Sequence, residues 1–474
     1  MTRFVNADRD QTFLLPPDMR DWVPEDDLCH FVIEAVARVD MRAFVVNTRG
    51  SGSPQYDPRM MLALLIYCYA NGICSSRRIE RATYRDVAVR FVAANTHPDH
   101  DTIATFRRRN EAAFKAAFLE VLLLARELRL LKVGTVSVDG TKIDANASKH
   151  KSVRYDRAKV LREKLRADIA ELVAKAESAD AAGDDDPQAL PVEIARREHL
   201  KAQMDAAVAR LEAEAAADAA ADAAAEQPAD KEKLKKHCER GSRGRAPKPP
   251  SAVPDDDRQT NLTDPDSRIM RKNKHAEYRQ AYNAQAAVDA DGSMLVLSAH
   301  VTNCASDKNE LLPAIAGIDA AVGVPETVLA DNGFANGEAV AKLQEHDIDV
   351  LIATGTEARQ RPYDFRPPKD TGPPKEPVQE WLVKMKAKME SAAGRTKYKR
   401  RQQTVEPVFG IIKEVLGFRR FHLRGLAGAS LEWLLVTLAY NCKRLHKLQV
   451  LHHLNIPARF RLLCYGRNLS PTDC

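Results

Sequence analysis

The sequence predicts an α/β protein: a mixed five-stranded sheet with flanking helices, interrupted by a long helical or disordered insertion and preceded by an all-helical module. Three observations predict it. Short β-rich runs and amphipathic helices alternate from residue 135 onward, the composition shifts abruptly between about residues 159 and 260, and the first 134 residues show helical spacing throughout.

In the N-terminal module, Asp57-Pro58 opens a helix with Met61, Leu64, Leu65 and Cys68 on one face, and Asn71-Gly72 stops it. Shorter helices follow at 76–83 and 85–93, and Asp101 is expected to cap a long helix through Leu131. Thr135-Val-Ser-Val-Asp139, closed by Gly140, reads as the first strand. The insertion comes next. Residues 201 to 230 hold fifteen alanines and seven acids against two bases, which suits a solvated helix or a disordered tract better than a packed core. Upstream, Leu161, Leu165, Ile169, Leu172 and Val173 recur at helical spacing, so an antiparallel helical hairpin with residues 193–215 is expected, then an open linker over 241–258.

After the insertion, residues 283–288, a turn at 289–292 and residues 294–301 form a hairpin. Ser306 and Asp307 resemble the cap and first turn of a helix. Val328-Leu-Ala-Asp331 is a fourth strand, a helix starts near Asn336, and residues 348–353 are a fifth strand. Three antiparallel strands followed by two joined through right-handed crossovers match the ribonuclease-H-like fold. The resulting division is 1–134 helical, 135–158 and 261–446 ribonuclease-H-like, 159–260 insertion and 447–474 tail.

At 474 residues the chain is long enough for about three domains. Its net charge of +6 is only mildly basic, so an argument for nucleic acid must rest on where the charges sit. No apolar run approaches the ~20 residues of a membrane span, and the N-terminus lacks an apolar signal segment. The eight cysteines are scattered, with no pair at structural-zinc spacing. A reducing cytoplasm is therefore the expected location.

Three carboxylates fall where such a fold can build a metal site: Asp139 ending the first strand, Asp331 ending the fourth, and Glu406 on the helix after the fifth. Two divalent ions about 3.5–4 Å apart need flanking carboxylates that leave positions open for water and phosphate. Taken singly, an Asp before a Gly is a turn or cap, and a helical Glu is a surface residue with rivals at Glu376, Glu380 and Glu414. With Val405, Val408, Phe409, Ile412 and Leu416 as a buried stripe, Glu406, Gly410 and Lys413 share a neighbouring face; Pro407 implies a helix start or kink there. Residues 395–424 carry nine Lys or Arg against two acids, a density suited to a groove for a phosphodiester backbone. Arg107, Arg108 and Arg109 divide evenly between a solvated helical face and a helix-turn-helix-like DNA reader.

Val138-Asp-Gly-Thr-Lys142, Tyr282-Asn-Ala-Gln285, Leu329-Ala-Asp-Asn-Gly-Phe334 and Val405-Glu-Pro-Val-Phe-Gly-Ile-Ile-Lys413, with Gly417-Phe418-Arg419 and Arg424-Gly425, resemble the DDE transposases of bacterial insertion sequences. Residues 57 to 110 resemble the N-terminal helical domain of that group. The resemblance implies a catalytic triad of Asp139, Asp331 and Glu406 holding two Mg²⁺ ions, or Mn²⁺ in substitution, with Lys413 beside them. It also implies double-stranded DNA as partner, both element ends and target, and a homodimer or higher assembly. Tyr398, Arg401, Arg419, Arg420 and Arg424 would contact DNA, although Tyr398 and Arg401 lie one residue further from Glu406 than the strictest family motif. A haloacid-dehalogenase-type phosphatase would need an Asp where Ser137 stands. An inactive DNA-binding relative and a nuclease without strand transfer stay open.

Overall fold

The computed structural model describes residues 18–47, 55–182, 189–225, 252–271, 276–354 and 379–453. The chain forms two compact units, one of residues 1–143, 283–423 and 427–474 and the other of residues 144–282 with 424–426.

The larger unit begins with six helices: α1 (Leu28–Ala37), α2 (Pro58–Ala70), α3 (Ser76–Arg85), α4 (Val87–Val92), α5 (His100–Arg109) and α6 (Glu111–Glu127). Asp27, Asp57, Asp86 and Asp99 each cap a helix by accepting a backbone N–H of the first turn. Gly72 ends α2 at φ +75°, a left-handed conformation that glycine adopts without strain. The single helix expected from Asp101 to Leu131 is instead two. Asn110 breaks it: its amide donates to the Phe106 carbonyl at 3.0 Å and its side-chain oxygen accepts from Val45 N at 2.8 Å, competing with the helical backbone.

The sheet follows, with β1 (Thr135–Asp144), β5 (Arg279–Asp289), β6 (Val296–Thr302), β7 (Thr327–Ala330) and β8 (Asp349–Ile352) in the order β6-β5-β1-β7-β8. β5 and β6 are antiparallel, and β7 runs parallel to both β1 and β8. This is the expected ribonuclease-H-like arrangement. A short sixth strand, β4 (Arg268–Met270), extends it by pairing with the first residues of β5. β1 also runs on through Gly140 instead of ending there. The helix expected at Ser306 starts later, as α9 (Leu311–Ala316), because Asp307 is turned toward Asn283 and Gln285. Four more helices complete the unit: α10 (Gly337–Glu345), α11 (Glu380–Glu390), α12 (Ala392–Gly410) and α13 (Leu426–His453), whose first residue belongs to the smaller unit.

α13 ties this unit together. Trp433 Nε1 donates to Gln285 O at 2.9 Å, and the Asn441 amide both donates to and accepts from Val296 on β6 at 2.8 Å. Glu432 is fully buried and accepts from Tyr69 Oη at 2.9 Å, His422 N at 2.7 Å, His422 Nδ1 at 3.0 Å and Leu423 N at 3.0 Å. Arg107 stands 3.8 Å from it and donates to Tyr69 Oη at 2.6 Å and Cys74 O at 3.1 Å. The expectation that Arg107 contacts DNA is thereby corrected: its guanidinium is enclosed and committed to binding the N-terminal helices to α13.

In the smaller unit, β2 (Ser152–Arg154) pairs with β3 (Gln259–Asn261), followed in space by α7 (Tyr155–Ala182) and α8 (Ala189–Ala225). Ion pairs Arg197–Asp168 at 2.7 Å and Arg162–Asp205 at 4.0 Å fix the two helices as antiparallel. One stripe of the alanine-rich helix, Met204, Ala207, Val208 and Leu211, packs with Val153, Tyr155 and Ala158. Most of the expected linker and of the tail beyond 447 lies outside the described residues.

Burial alone would push Glu432 up, but its hydrogen bonds from His422 and Leu423 and the charge of Arg107 hold it below the ordinary carboxylate range. A depressed carboxyl contributes stability that is present above its unfolded value and lost as pH falls through the lower folded one. Arg107→Met should therefore destabilise the protein by roughly 3–5 kcal/mol, as expected when one partner of a buried pair is removed. The exposed neighbour Arg108→Ala should change stability by less than about 0.5 kcal/mol. Urea denaturation at pH 7 and at pH 3.5 checks both, and Glu432→Gln should lose less stability between the two pH values than the parent.

Candidate active site

Parallel register brings the two aspartates together. Thr135 pairs with Thr327 and Ser137 with Leu329, and two residues further along each strand stand Asp139 and Asp331. Residues at matching register on adjacent strands lie about 4.8 Å apart, and alternation puts Ser137 and Asp139 on one face. α12 crosses that face, where Thr404 Oγ1 donates to Ser137 Oγ at 2.9 Å and Tyr398 Oη donates to Ala330 O at 3.2 Å. Val405, Val408 and Phe409, with Ile412 just beyond, are buried along the same side of the helix as Thr404, as the periodicity requires. Glu406 and Arg401 are left facing the strand ends.

The helix start expected at Pro407 is not what forms. Pro407 lies inside α12, and the helix passes into one π turn at Ile411–Val415, where Leu416 N donates to Ile411 O at 2.9 Å. Lys413 lies on this turn, and its ammonium donates to Thr141 Oγ1, two residues beyond Asp139 on the same side of β1, and, at 3.2 Å, to Lys142 O.

Arg401 stands among the acids. Its Nη2 lies 3.2 Å from Asp139 Oδ2 and 3.6 Å from Asp331 Oδ2, and its Nη1 lies 3.6 Å from Glu406 Oε1. Each aspartate spends its other oxygen on the backbone: Gly140 N donates to Asp139 Oδ1 at 2.9 Å and Gly333 N to Asp331 Oδ1 at 2.8 Å. The backbone bond expected of an Asp before a turn and the place in the carboxylate cluster therefore coexist in the same side chains. The Arg401 side chain is only 10 % exposed, so its expected place in a DNA groove is corrected to the centre of the carboxylate cluster.

A second group of residues, missed by the sequence reasoning, adjoins Asp139. Asp307 Oδ1 accepts from Asn283 Nδ2 at 2.6 Å and Gln285 Nε2 at 2.7 Å, with Lys142 Nζ at 3.5 Å. A Cβ at Gly140 would stand 2.3 Å from Gln285 Nε2, so glycine is required beside Asp139 by this group. The signal was the Tyr282-Asn-Ala-Gln285 motif: strand alternation turns Asn283 and Gln285 to one face and Tyr282 to the other, where Tyr282 donates to Asp264 at 2.7 Å.

The donor set suits a hard divalent cation, being all carboxylate oxygen and converging on one positive group. In the present arrangement that group is the guanidinium, and among the described residues no three acids, histidines or cysteines stand close enough to chelate an ion by themselves. The rivals of Glu406 are elsewhere: Glu414 pairs with Arg419, Glu380 pairs with Lys384, and Glu376 lies outside the described residues. Arg108, Arg109, Arg419, Arg420 and Arg424 are exposed. Arg424 belongs to the smaller unit, where its Nε donates to Asn146 O at 3.3 Å.

Burial pushes the Asp139 carboxyl up to about 6, against the pull of Arg401 and with the push of Asp331. For a raised acid the sign is reversed from the usual case: the unfolded chain loses its proton first, so stability falls as pH rises from the ordinary carboxylate value to about 6. Thermal melts in chelator between pH 4 and 7 should show this loss in the parent and a shallower one in Asp139→Asn; equal slopes would contradict it.

Two family models match the chain. A transposase DDE domain matches residues 250–442, which include Asp331 and Glu406, and a transposase domain (DUF772) matches residues 17–109. Asp139 precedes the first match, separated from it by most of the insertion. No curated protein and no solved structure matches the chain significantly. With a transposase domain over its N-terminal helices and a transposase DDE domain over its later strands, the chain belongs to the DDE transposases of insertion sequences.

Proposed function

We propose that this transposase binds the terminal inverted repeats of its element and performs metal-dependent strand cleavage and strand transfer at Asp139, Asp331 and Glu406. The observation that carries this is the convergence of these three carboxylates, from two adjacent strands and one helix, on a single cation 3.2–3.6 Å away. Asp139, Asp331 and Glu406 would hold two Mg²⁺ ions, or Mn²⁺ in their place. Bound there, such ions activate a water or a 3′-hydroxyl as nucleophile and neutralise the leaving oxygen.

The chain's own residues supply positioning and charge. β1 and β7 hold the aspartates at one level, and their backbone-bonded oxygens fix which oxygen faces the site. Lys413, held by Thr141 and the Lys142 carbonyl, keeps an ammonium one strand repeat from Asp139, where it can meet a phosphate oxygen. No protein nucleophile is needed, so the same centre can cut an element end and then join it to target DNA. Exposed Arg108, Arg109, Arg419, Arg420 and Arg424 are the phosphate contacts of this reading. Two ends must be cut and joined together, which favours a dimer or larger assembly on DNA. Such an assembly acts at the nucleoid in this reading; among the described residues no helix is long and apolar enough to cross a membrane.

Asp139→Asn, Asp331→Asn and Glu406→Gln should each lower strand cleavage in Mg²⁺ by about 10² or more while a gel shift with a terminal-repeat duplex stays near the parent, because each removes charge needed in the transition state and not in end binding. Robust cleavage by any of them removes that residue from the centre. Lys413→Ala should slow cleavage of bound DNA, whereas Arg420→Ala should weaken affinity and reduce its salt dependence. Equal losses of affinity in both, with the bound rate intact, would deny Lys413 its place.

A further inference from the structure

A cation already stands at the carboxylates that a divalent ion would need. Asp139 Oδ2, Asp331 Oδ2 and Glu406 Oε1 all face the Arg401 guanidinium, while the other oxygen of each aspartate is bonded to backbone. A guanidinium and a divalent ion at these atoms oppose one another, since like charges a few ångströms apart in a partly dry site repel. Without any cation the three acids would repel one another, with Asp139 only 17 % exposed and least able to turn to water. Arg401 is also incompletely satisfied in this position: its Nε is buried with no hydrogen-bond partner. An unmet buried donor is a cost that binding elsewhere can relieve.

We propose that Arg401 is the resident counter-cation of the carboxylate site, holding Asp139, Asp331 and Glu406 in place until a divalent ion displaces it. Arginine and metal then compete for the same oxygens, and Arg401 acts as a positioning residue whose release accompanies metal entry. This deepens the triad reading above and rests on it. A purely structural Arg401 makes the opposite forecast, because removing it would scatter the carboxylates and weaken metal binding.

The test is Mn²⁺ titration by calorimetry of full-length, DNA-free protein stripped by chelator, comparing the parent with Arg401→Gln, Arg401→Lys and Asp331→Asn. Arg401→Gln should bind Mn²⁺ about tenfold tighter or more, as expected when a competitor worth about 1.4 kcal/mol is removed. Arg401→Lys, which keeps the charge, should stay closer to the parent than Arg401→Gln does. Unchanged or weaker binding by Arg401→Gln overturns the proposal. Asp331→Asn should weaken Mn²⁺ binding; if it does not, the triad reading itself fails and the proposal with it, whereas loss with Asp331→Asn but no gain with Arg401→Gln defeats the proposal alone. Should Arg401→Gln fail to fold, phenylglyoxal labelling of the parent followed by mass spectrometry decides. Mn²⁺ should raise modification of Arg401 several-fold, and continued protection overturns the displacement.

Discussion

Two parallel strands in fixed register put Asp139 and Asp331 at one level, and the rest of the site is an answer to the charge this concentrates. Strand spacing leaves the two carboxylates a few ångströms apart, a separation at which like charges cannot both be ionised without compensation. Backbone N–H groups of Gly140 and Gly333 take one oxygen of each, and α12 brings a guanidinium to the others. The Ser137–Thr404 hydrogen bond then sets where along the sheet α12 lies, which fixes the positions of Arg401 and Glu406 together.

Opposing effects on Asp139 show how finely this balance lies. Burial disfavours its charge, Arg401 favours it, and Asp331 and Asp307 disfavour it again, with burial the largest influence. A carboxyl that would sooner be neutral, held beside a cation that keeps it charged, has much to gain from a stronger positive partner. The Asp307 group adds to the same pressure from behind Gly140 while its own charge is spread over two amides and Lys142.

Much of this could be read from residues alone, and the reasons differ by element. The strand order, the hairpin and the buried stripe of α12 were legible because period 2 and period 3.6 patterns survive whatever the tertiary context. The convergence of Asp139, Asp331 and Glu406 was legible because two of them stand in or just after a β-rich run and the third lies beside a patterned helix stripe. Arg107 and Arg401 were misread for a shared reason: a basic residue on a helix looks like a surface charge unless its partner is known, and Glu432 and Asp139 lie 325 and 262 positions away. Asp307 was taken for the first turn of a helix because Ser306 before it imitates a cap and apolar residues follow from Leu311; the demand of Asn283 and Gln285 for an acceptor cannot be seen locally. The split at Asn110 reflects a side chain whose hydrogen bonds to Val45 and Phe106 are equally invisible to helical spacing.

The Tyr69–Arg107–Glu432 cluster has a consequence for the making of the protein. Tyr69 and Glu432 are 363 residues apart, so the N-terminal helices emerge from the ribosome long before the carboxylate that neutralises Arg107 has been synthesised. Translation at about 5–20 residues per second leaves them tens of seconds with a cation and a phenol destined for burial but lacking their acceptor. The N-terminal helices can complete their packing only after α13 is made. A prematurely terminated chain would carry Tyr69 and Arg107 without the Glu432 carboxylate that completes their cluster.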